Sequence, residues 1–292
     1  MSHLFVRFWG VRGSIPTPGP RTRRYGGNTP CVEVRSDDTL VVFDAGTGLR
    51  ELGLKLKKAK DKQTVHLFLS HPHWDHIQGF PFFDPAYHAT TTIEVYGPLG
   101  DDKPYRLLSG QMANDSFPVH FSQLGAKIVS RSFEGPQVDA GGIKVRCFTQ
   151  RHPGGSVGFR ASHGGHSVVY ATDSELDLQL LDPDRAVSHP TALRKLPAEI
   201  VDAVKGTDLM IADAQYTDAE YAKKSGWGHP RATTVVDLAG QAGVRQLALT
   251  HHDPSHSDRE LDLLVLECQE RAEEQGFDLE VFGAREGITL KL

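Results

Sequence analysis

Cysteine is scarce in this 292-residue chain, at three residues, and Cys31, Cys147 and Cys268 lie far apart. An odd, scattered set excludes a disulfide framework and a cysteine-based zinc knuckle, and leaves inert thiols in a reducing compartment. Positive charge is also in short supply. The formal net charge is −5, which argues against a stable nucleic-acid partner and against an anionic membrane surface. No apolar run reaches the roughly 20 residues that a transmembrane helix needs. The N-terminal residues to Trp9 lack the charged-then-apolar order of a secretory signal, so the expectation is a cytoplasmic protein. Repeats, low-complexity tracts and linker-like segments are missing too, and 1–292 reads as one domain.

What is present is an ordinary globular composition, 39% hydrophobic and 24% charged. His3–Trp9 reads as a first strand, followed by an irregular Pro/Gly-rich loop over Gly10–Gly27. Cys31–Arg35 and Leu40–Phe43 read as a hairpin, and Leu49, Leu52 and Leu56 mark one face of a helix. Strands are expected at Val65–Leu69, Thr92–Tyr96, Ala126–Ser132, Ile143–Thr149, Ser156–Ala161 and Ser167–Ala171, with a helix over Pro104–Met112. The second half mixes strands at Thr207–Ala212, Val244–Thr250, Leu279–Phe282 and Ile288–Leu290 with helices at Asp218–Lys223 and Ala232–Ala242. Ser257-Asp-Arg-Glu260 is a capping box that opens a last helix ending before Gly276. Two packed sheets with helices outside follow from this order.

The densest chemistry lies in Ser70-His-Pro-His-Trp-Asp-His-Ile-Gln78, just past the apolar strand. That strand delivers His71, His73, Asp75 and His76 onto one tight loop. Neutral imidazole and carboxylate suit zinc and similar divalent ions, and four such groups exceed the needs of one open site. Three further groups sit where an apolar strand ends: His152, Asp173 and His251. Alone, each would pass for a polar loop residue; their recurrence downstream of the His-rich loop marks a shared rim. Arg21, Arg23 and Arg24, beside Tyr25-Gly-Gly-Asn28, read either as a solvated face or as an anion contact. His66, His88, His120, His163, His166, His189 and His256 have no motif support.

With Asp44 ahead of these groups, the chain resembles the metallo-β-lactamase superfamily over its whole length. The resemblance implies an α/β fold, a four-layer αββα sandwich, with two metals at the sheet edges. It assigns His71, His73 and His152 to the first metal, Asp75, His76 and His251 to the second, and Asp173 as the bridge. Asp44 matches an Asp that orients the metal loop. Two divalent ions about 3.5–4 Å apart hold a bridging hydroxide and clamp an in-line displacement. Zinc is the first expectation, with manganese or iron as alternatives. Gly226-Trp-Gly-His-Pro-Arg-Ala-Thr233 resembles a segment of the phosphodiesterase branch, which includes ribonuclease Z and cyclic phosphodiesterases. His229 falls on that branch's proton-donating histidine, although Pro230 replaces the usual small hydroxyl residue. A phosphodiester expels an alkoxide, so an acid near the leaving oxygen is valuable. The position of His229 before a helix start also promises backbone amides for a phosphate.

The expected function is therefore dinuclear-metal hydrolysis of a small or cyclic phosphodiester, a cyclic nucleotide among the candidates, with His229 as general acid and Asp75 and Asp173 in the catalytic centre. A thiolester or lactone hydrolase on the same metals is the alternative enzyme, and a non-catalytic metal-bound ligand carrier the alternative class. The segment 174–206, with six acidic and four basic residues, reads as a lid or a dimer contact rather than a basic RNA-gripping arm. A homodimer is suggested by family analogy alone.

Overall fold

Alternation along individual strands shows how the layers are made. In Thr39–Phe43, Leu40 and Val42 pack into one apolar cluster while Val41 and Phe43 pack into another. A strand has a side-chain period of two, so this one is buried on both faces. Leu209–Asp213 behaves the same way, with Leu209 and Ile211 on one side and Met210 and Ala212 on the other. The computed structural model describes residues 3–56, 62–97, 103–113, 117–133 and 136–292.

Among those residues the strands are β1 (Phe5–Gly10), β2 (Cys31–Ser36), β3 (Thr39–Phe43), β4 (Gln63–Phe68), β5 (Thr91–Tyr96), β6 (Lys127–Arg131), β7 (Val138–Ala140), β8 (Ile143–Gln150), β9 (Ser156–His163), β10 (His166–Ala171), β11 (Leu209–Asp213), β12 (Gln246–Thr250), β13 (Glu280–Gly283) and β14 (Thr289–Lys291). The helices are α1 (Gly48–Leu56), α2 (Lys103–Gln111), α3 (Pro183–Ser188), α4 (Ala198–Val204), α5 (Asp218–Lys224), α6 (Ala232–Gln241) and α7 (Asp258–Glu274). The strands form two seven-stranded sheets, ordered β14-β1-β2-β3-β4-β5-β6 and β13-β12-β11-β10-β9-β8-β7.

Three apolar clusters correspond to three layer interfaces. Phe8, Phe43, Phe68, Phe159, Tyr170 and Ile211 fill the space between the sheets. Leu49 and Leu52 of α1 pack on the outer face of the first sheet. Val235 and Leu238 of α6, with Leu261, Leu264 and Cys268 of α7, cover the outer face of the second. The result is an αββα sandwich. Both sheets run antiparallel through their first four strands, β14-β1-β2-β3 and β7-β8-β9-β10, and parallel thereafter. The sequence carries no repeat, yet the two halves repeat one topology. Hydrophobic alternation is enough to specify such a pattern without residue identity.

Short elements escaped the periodicity reading. The strand β7 spans three residues, and α3 and α4 span six and seven, too few for a period to show. Both helices lie in the 174–206 segment, which is fastened to the body. Buried Arg194 donates to Thr233 Oγ1 at 2.7 Å and to Asp218 Oδ2 at 2.6 Å, and its backbone N–H donates to Asp237 Oδ2 at 3.1 Å. Near the C-terminus, β14 begins one residue later than expected and pairs with β1, Val6 opposite Leu290. No helix among the described residues is long and apolar enough to cross a membrane.

Candidate metal centre

The chain turns sharply as it leaves the strands that carry the site. Five non-glycine residues among those described have positive φ: Asp37 in the β2–β3 turn, and Ser14 (65°), Asp44 (60°), Asp173 (51°) and His251 (56°), all at the centre. Each such residue costs on the order of 1–3 kcal/mol and persists only where its surroundings hold it. Asp44 follows β3, Asp173 follows β10 and His251 follows β12. The parallel part of each sheet thus presents polar side chains just past its strands' carboxyl ends, the usual place for a ligand site in such sheets.

All seven candidate ligands come together here. His71 Nε2 and His152 Nε2 lie 3.4 and 3.6 Å from Asp173 Oδ2, and His73 Nδ1 lies 3.1 Å from His152 Nε2. The other oxygen, Asp173 Oδ1, is 3.2 Å from both His76 Nε2 and His251 Nε2. Asp75 Oδ2 stands 3.2 Å from those same two nitrogens. One carboxylate therefore faces two separate clusters, one oxygen each. Within each cluster, the potential ligand atoms lie within 4.8 Å of one another.

In four of the five histidines the other ring nitrogen is engaged, which fixes those imidazoles. His76 Nδ1 donates to Asp44 Oδ2 at 2.7 Å, His152 Nδ1 to the Gly228 carbonyl at 2.9 Å, and His251 Nδ1 to Gln215 Oε1 at 2.8 Å. His71 Nδ1 meets Ser70 Oγ at 3.0 Å. Asp44, fully buried, also accepts from Ser70 N, Ser70 Oγ and Tyr170 Oη at 2.7–2.8 Å. Metal-binding histidines are characteristically held in this way through the nitrogen away from the ion. The donor set fits divalent ions on a further count: buried His71 Nε2 has no hydrogen-bond partner although it points into the cluster. Burial foremost holds the His71 pKa well below the ordinary imidazole range. Burial also opposes charge on Asp173, yet the surrounding His251, His76 and His71 keep its carboxyl well below the usual range.

His229 reaches the centre from the loop before α6. Its Nδ1 donates to Asp213 Oδ2 at 2.8 Å; its ring centre is 4.9 Å from that of His251 and 5.3 Å from that of His152. Burial works against its charge, but Asp213 outweighs it and raises the pKa to about 9. Asp173, Asp213, His229 and His251 also gather closely enough to hold an ion. Buried Glu175 clamps the loop by accepting from the backbone N–H of Gly226, at 2.5 Å, and of Gly228, at 2.8 Å. Gly228 has φ +95°, and a Cβ there would lie 2.4 Å from His152 Nδ1, so only glycine fits.

One expectation changes, and one pair of alternatives narrows. The start of α6 does not offer its amides to a phosphate, because Asp177 occupies it, accepting from Arg231 N at 2.9 Å and Thr234 Oγ1 at 2.7 Å. Of the two readings of the arginine cluster, the solvated face fits Arg21 and Arg24, which are exposed and pair with Glu260 and Asp262 on α7. Four groups at the centre were not singled out in the sequence: Asp213, Glu175, Gln215, and the Ser14 N–H that donates to Asp75 Oδ2 at 2.8 Å. Asp213 ends an apolar strand, as His152 and Asp173 follow theirs, and the same rule would have found it.

A family model described as a beta-lactamase superfamily domain matches residues 39–252. A relative named ribonuclease Z, from Natronomonas pharaonis, is 26% identical over 89% of this chain and 92% of its own. The metallo-beta-lactamase fold protein YhfI from Bacillus subtilis superposes with a TM-score of 0.68 at 19% identity, covering 100% of both chains. A diphosphatase from the PhnP family gives 0.65 at 17% identity, covering 98% of this chain and 97% of its own. At such identities the structural likeness is one of fold.

Proposed function

The chain belongs to the beta-lactamase superfamily, and from that premise we propose that it is a metal-dependent hydrolase of a small or cyclic phosphodiester. His71, His73 and His152 would hold one divalent ion and Asp75, His76 and His251 a second, with Asp173 shared between them. Zinc is our first assignment, on the imidazole-rich ligand set. When bound, the ions supply Lewis acidity, polarising phosphoryl oxygens and acidifying water. Asp44 holds the loop of His76 in register, and Gln215 orients His251.

The observation that carries the reading is the His229–Asp213 pair beside the two clusters. As water adds to phosphorus the ester P–O bond breaks, and the departing alkoxide needs a proton. With Nδ1 held by Asp213, His229 has Nε2 available to deliver that proton, and the Asp213 carboxylate favours its protonated form. A thiolate leaves without such an acid, which ranks thiolester hydrolysis second among enzyme readings; a lactone also expels an alkoxide, and a lactone substrate in the panel below separates that reading. The relative named ribonuclease Z favours RNA as the second substrate reading. The test is a panel of 2′,3′- and 3′,5′-cyclic nucleotides, linear diesters, an RNA hairpin, a thiolester and a lactone with metal supplied. Cleavage of the small diesters supports the proposal, and turnover of the thiolester or the lactone alone overturns it.

We also read 1–292 as one domain. The anchoring by Arg194 argues against a freely swinging lid at 174–206. Leu181 and Val187, exposed there, favour a contact with a second copy, which sedimentation would register as a dimer. Unpaired Cys31, Cys147 and Cys268 fit a cytoplasmic setting.

A further inference from the structure

The chain has three tryptophans, and they divide sharply. Trp9 is buried at 8% exposure, whereas Trp74 and Trp227 are 79% and 64% exposed. An indole left in water forgoes the burial of a large apolar surface, so two such residues in one neighbourhood need a reason. Both are flanked in the chain by residues of the candidate centre. Trp74 stands between His73 and Asp75. Trp227 stands between Gly226 and Gly228, two residues before His229, and the Gly228 carbonyl accepts from His152. The rings of His73 and His152 are themselves 4.9 Å apart.

The backbone beneath both indoles is fixed. The Trp74 carbonyl accepts from the N–H groups of Ile77 and Gln78 at 3.0 and 2.8 Å, and Glu175 grips the amides on either side of Trp227. Exposed aromatic side chains carried on a fixed backbone, next in the chain to groups of the candidate centre, are placed to receive a flat apolar group.

We propose that Trp74 and Trp227 form a stacking rim for a nucleobase attached, through its ribose, to the scissile phosphate. The inference rests on the phosphodiesterase reading and narrows its substrate to a nucleotide. Stacking on an indole tolerates any base, because every base presents a π-face. The rim should therefore select for the presence of a base and discriminate weakly among adenine, guanine, cytosine and uracil. A diester of a bare sugar or of glycerol would leave both indoles in water.

The experiment compares kcat/KM for adenosine 2′,3′-cyclic phosphate with that for 1-O-methylribose 2,3-cyclic phosphate, which lacks the base, on metal-replete protein. The wild type should prefer the nucleotide. Trp74→Ala and Trp227→Ala should each shrink that preference, by on the order of tenfold, and Trp→Phe at either position should restore most of it. Tryptophan fluorescence provides a readout without turnover: AMP should quench it and ribose 5-phosphate should not. Equal kcat/KM for the two diesters in the wild type, or a preference untouched by both alanine variants, overturns the proposal. If neither diester is hydrolysed while AMP still quenches through these two residues, the rim stands and the phosphodiesterase reading falls.

Discussion

The two sheets reach the candidate metal centre by different routes. The first delivers His71, His73, Asp75 and His76 on one loop behind β4, with Asp44 behind the neighbouring β3. The second delivers one group per strand: His152 after β8, Asp173 after β10, Asp213 at the end of β11 and His251 after β12. A loop keeps its ligands together through local chain geometry. The dispersed set comes together only once β10, β11 and β12 have paired in register. The first sheet thus concentrates the candidate ligands, whereas the second closes the site around them and adds Asp213, the carboxylate that holds His229. Asp173 is the hinge of the comparison, since its two oxygens face both clusters.

The largest effects should fall on the carboxylates. Asp75→Ala should abolish turnover and cost the second ion while retaining the first and the fold, since Asp75 touches only one cluster. Asp173→Ala should abolish turnover and weaken both ions. Metal content and circular dichroism of the two variants check this directly, and an Asp173 variant that keeps either ion at full affinity would break the asymmetry. Next comes His229→Ala, expected to lower kcat by roughly 10²–10⁴-fold, the usual worth of a general acid. Both ions should stay bound, and the loss should shrink for a diester with a nitrophenolate leaving group. Equal losses on activated and unactivated diesters would reduce His229 to a structural role.

Smaller effects sharpen the contrast between the loop and its supports. Asp44→Asn should weaken metal affinity by about 10–100-fold, as removal of a histidine's outer partner does, and isothermal titration would measure it. The smallest effect concerns pH. Burial foremost, with Arg12 nearby, lowers the His252 pKa to about 3, while an unfolded imidazole titrates near ~6.5. The unfolded chain therefore binds the proton first as pH falls, so this contribution to stability is intact above about pH 6.5 and declines towards pH 3. Denaturant midpoints between pH 7 and 5 should drop, and less steeply in His252→Gln. An identical slope in the variant would assign the acid sensitivity elsewhere.

The same contrast explains what could be read in the sequence. The loop 71–76 is legible because its candidate ligands are neighbours in the chain, and the strands β3, β4 and β12 because each is a short, mostly apolar run. His152, Asp173 and His251 are legible only through the rule that ligands follow strands. Asp213, at the end of Leu209–Asp213 and directly after the strand expected at Thr207–Ala212, obeys the same rule. Glu175 and Gln215 act through bonds to distant backbone and side chains, which no local pattern records. The filling of the α6 start by Asp177 depends on how the 174–206 segment folds back, and two helices of six and seven residues leave no period to reveal it.

Anomalous scattering from crystals grown with excess zinc tests the central claim most directly. The account predicts two sites per chain, one among His71, His73 and His152, the other among Asp75, His76 and His251, with Asp173 touching both. A single site under these conditions, or an ion seated on Asp213 and His229 in place of the second, would contradict it.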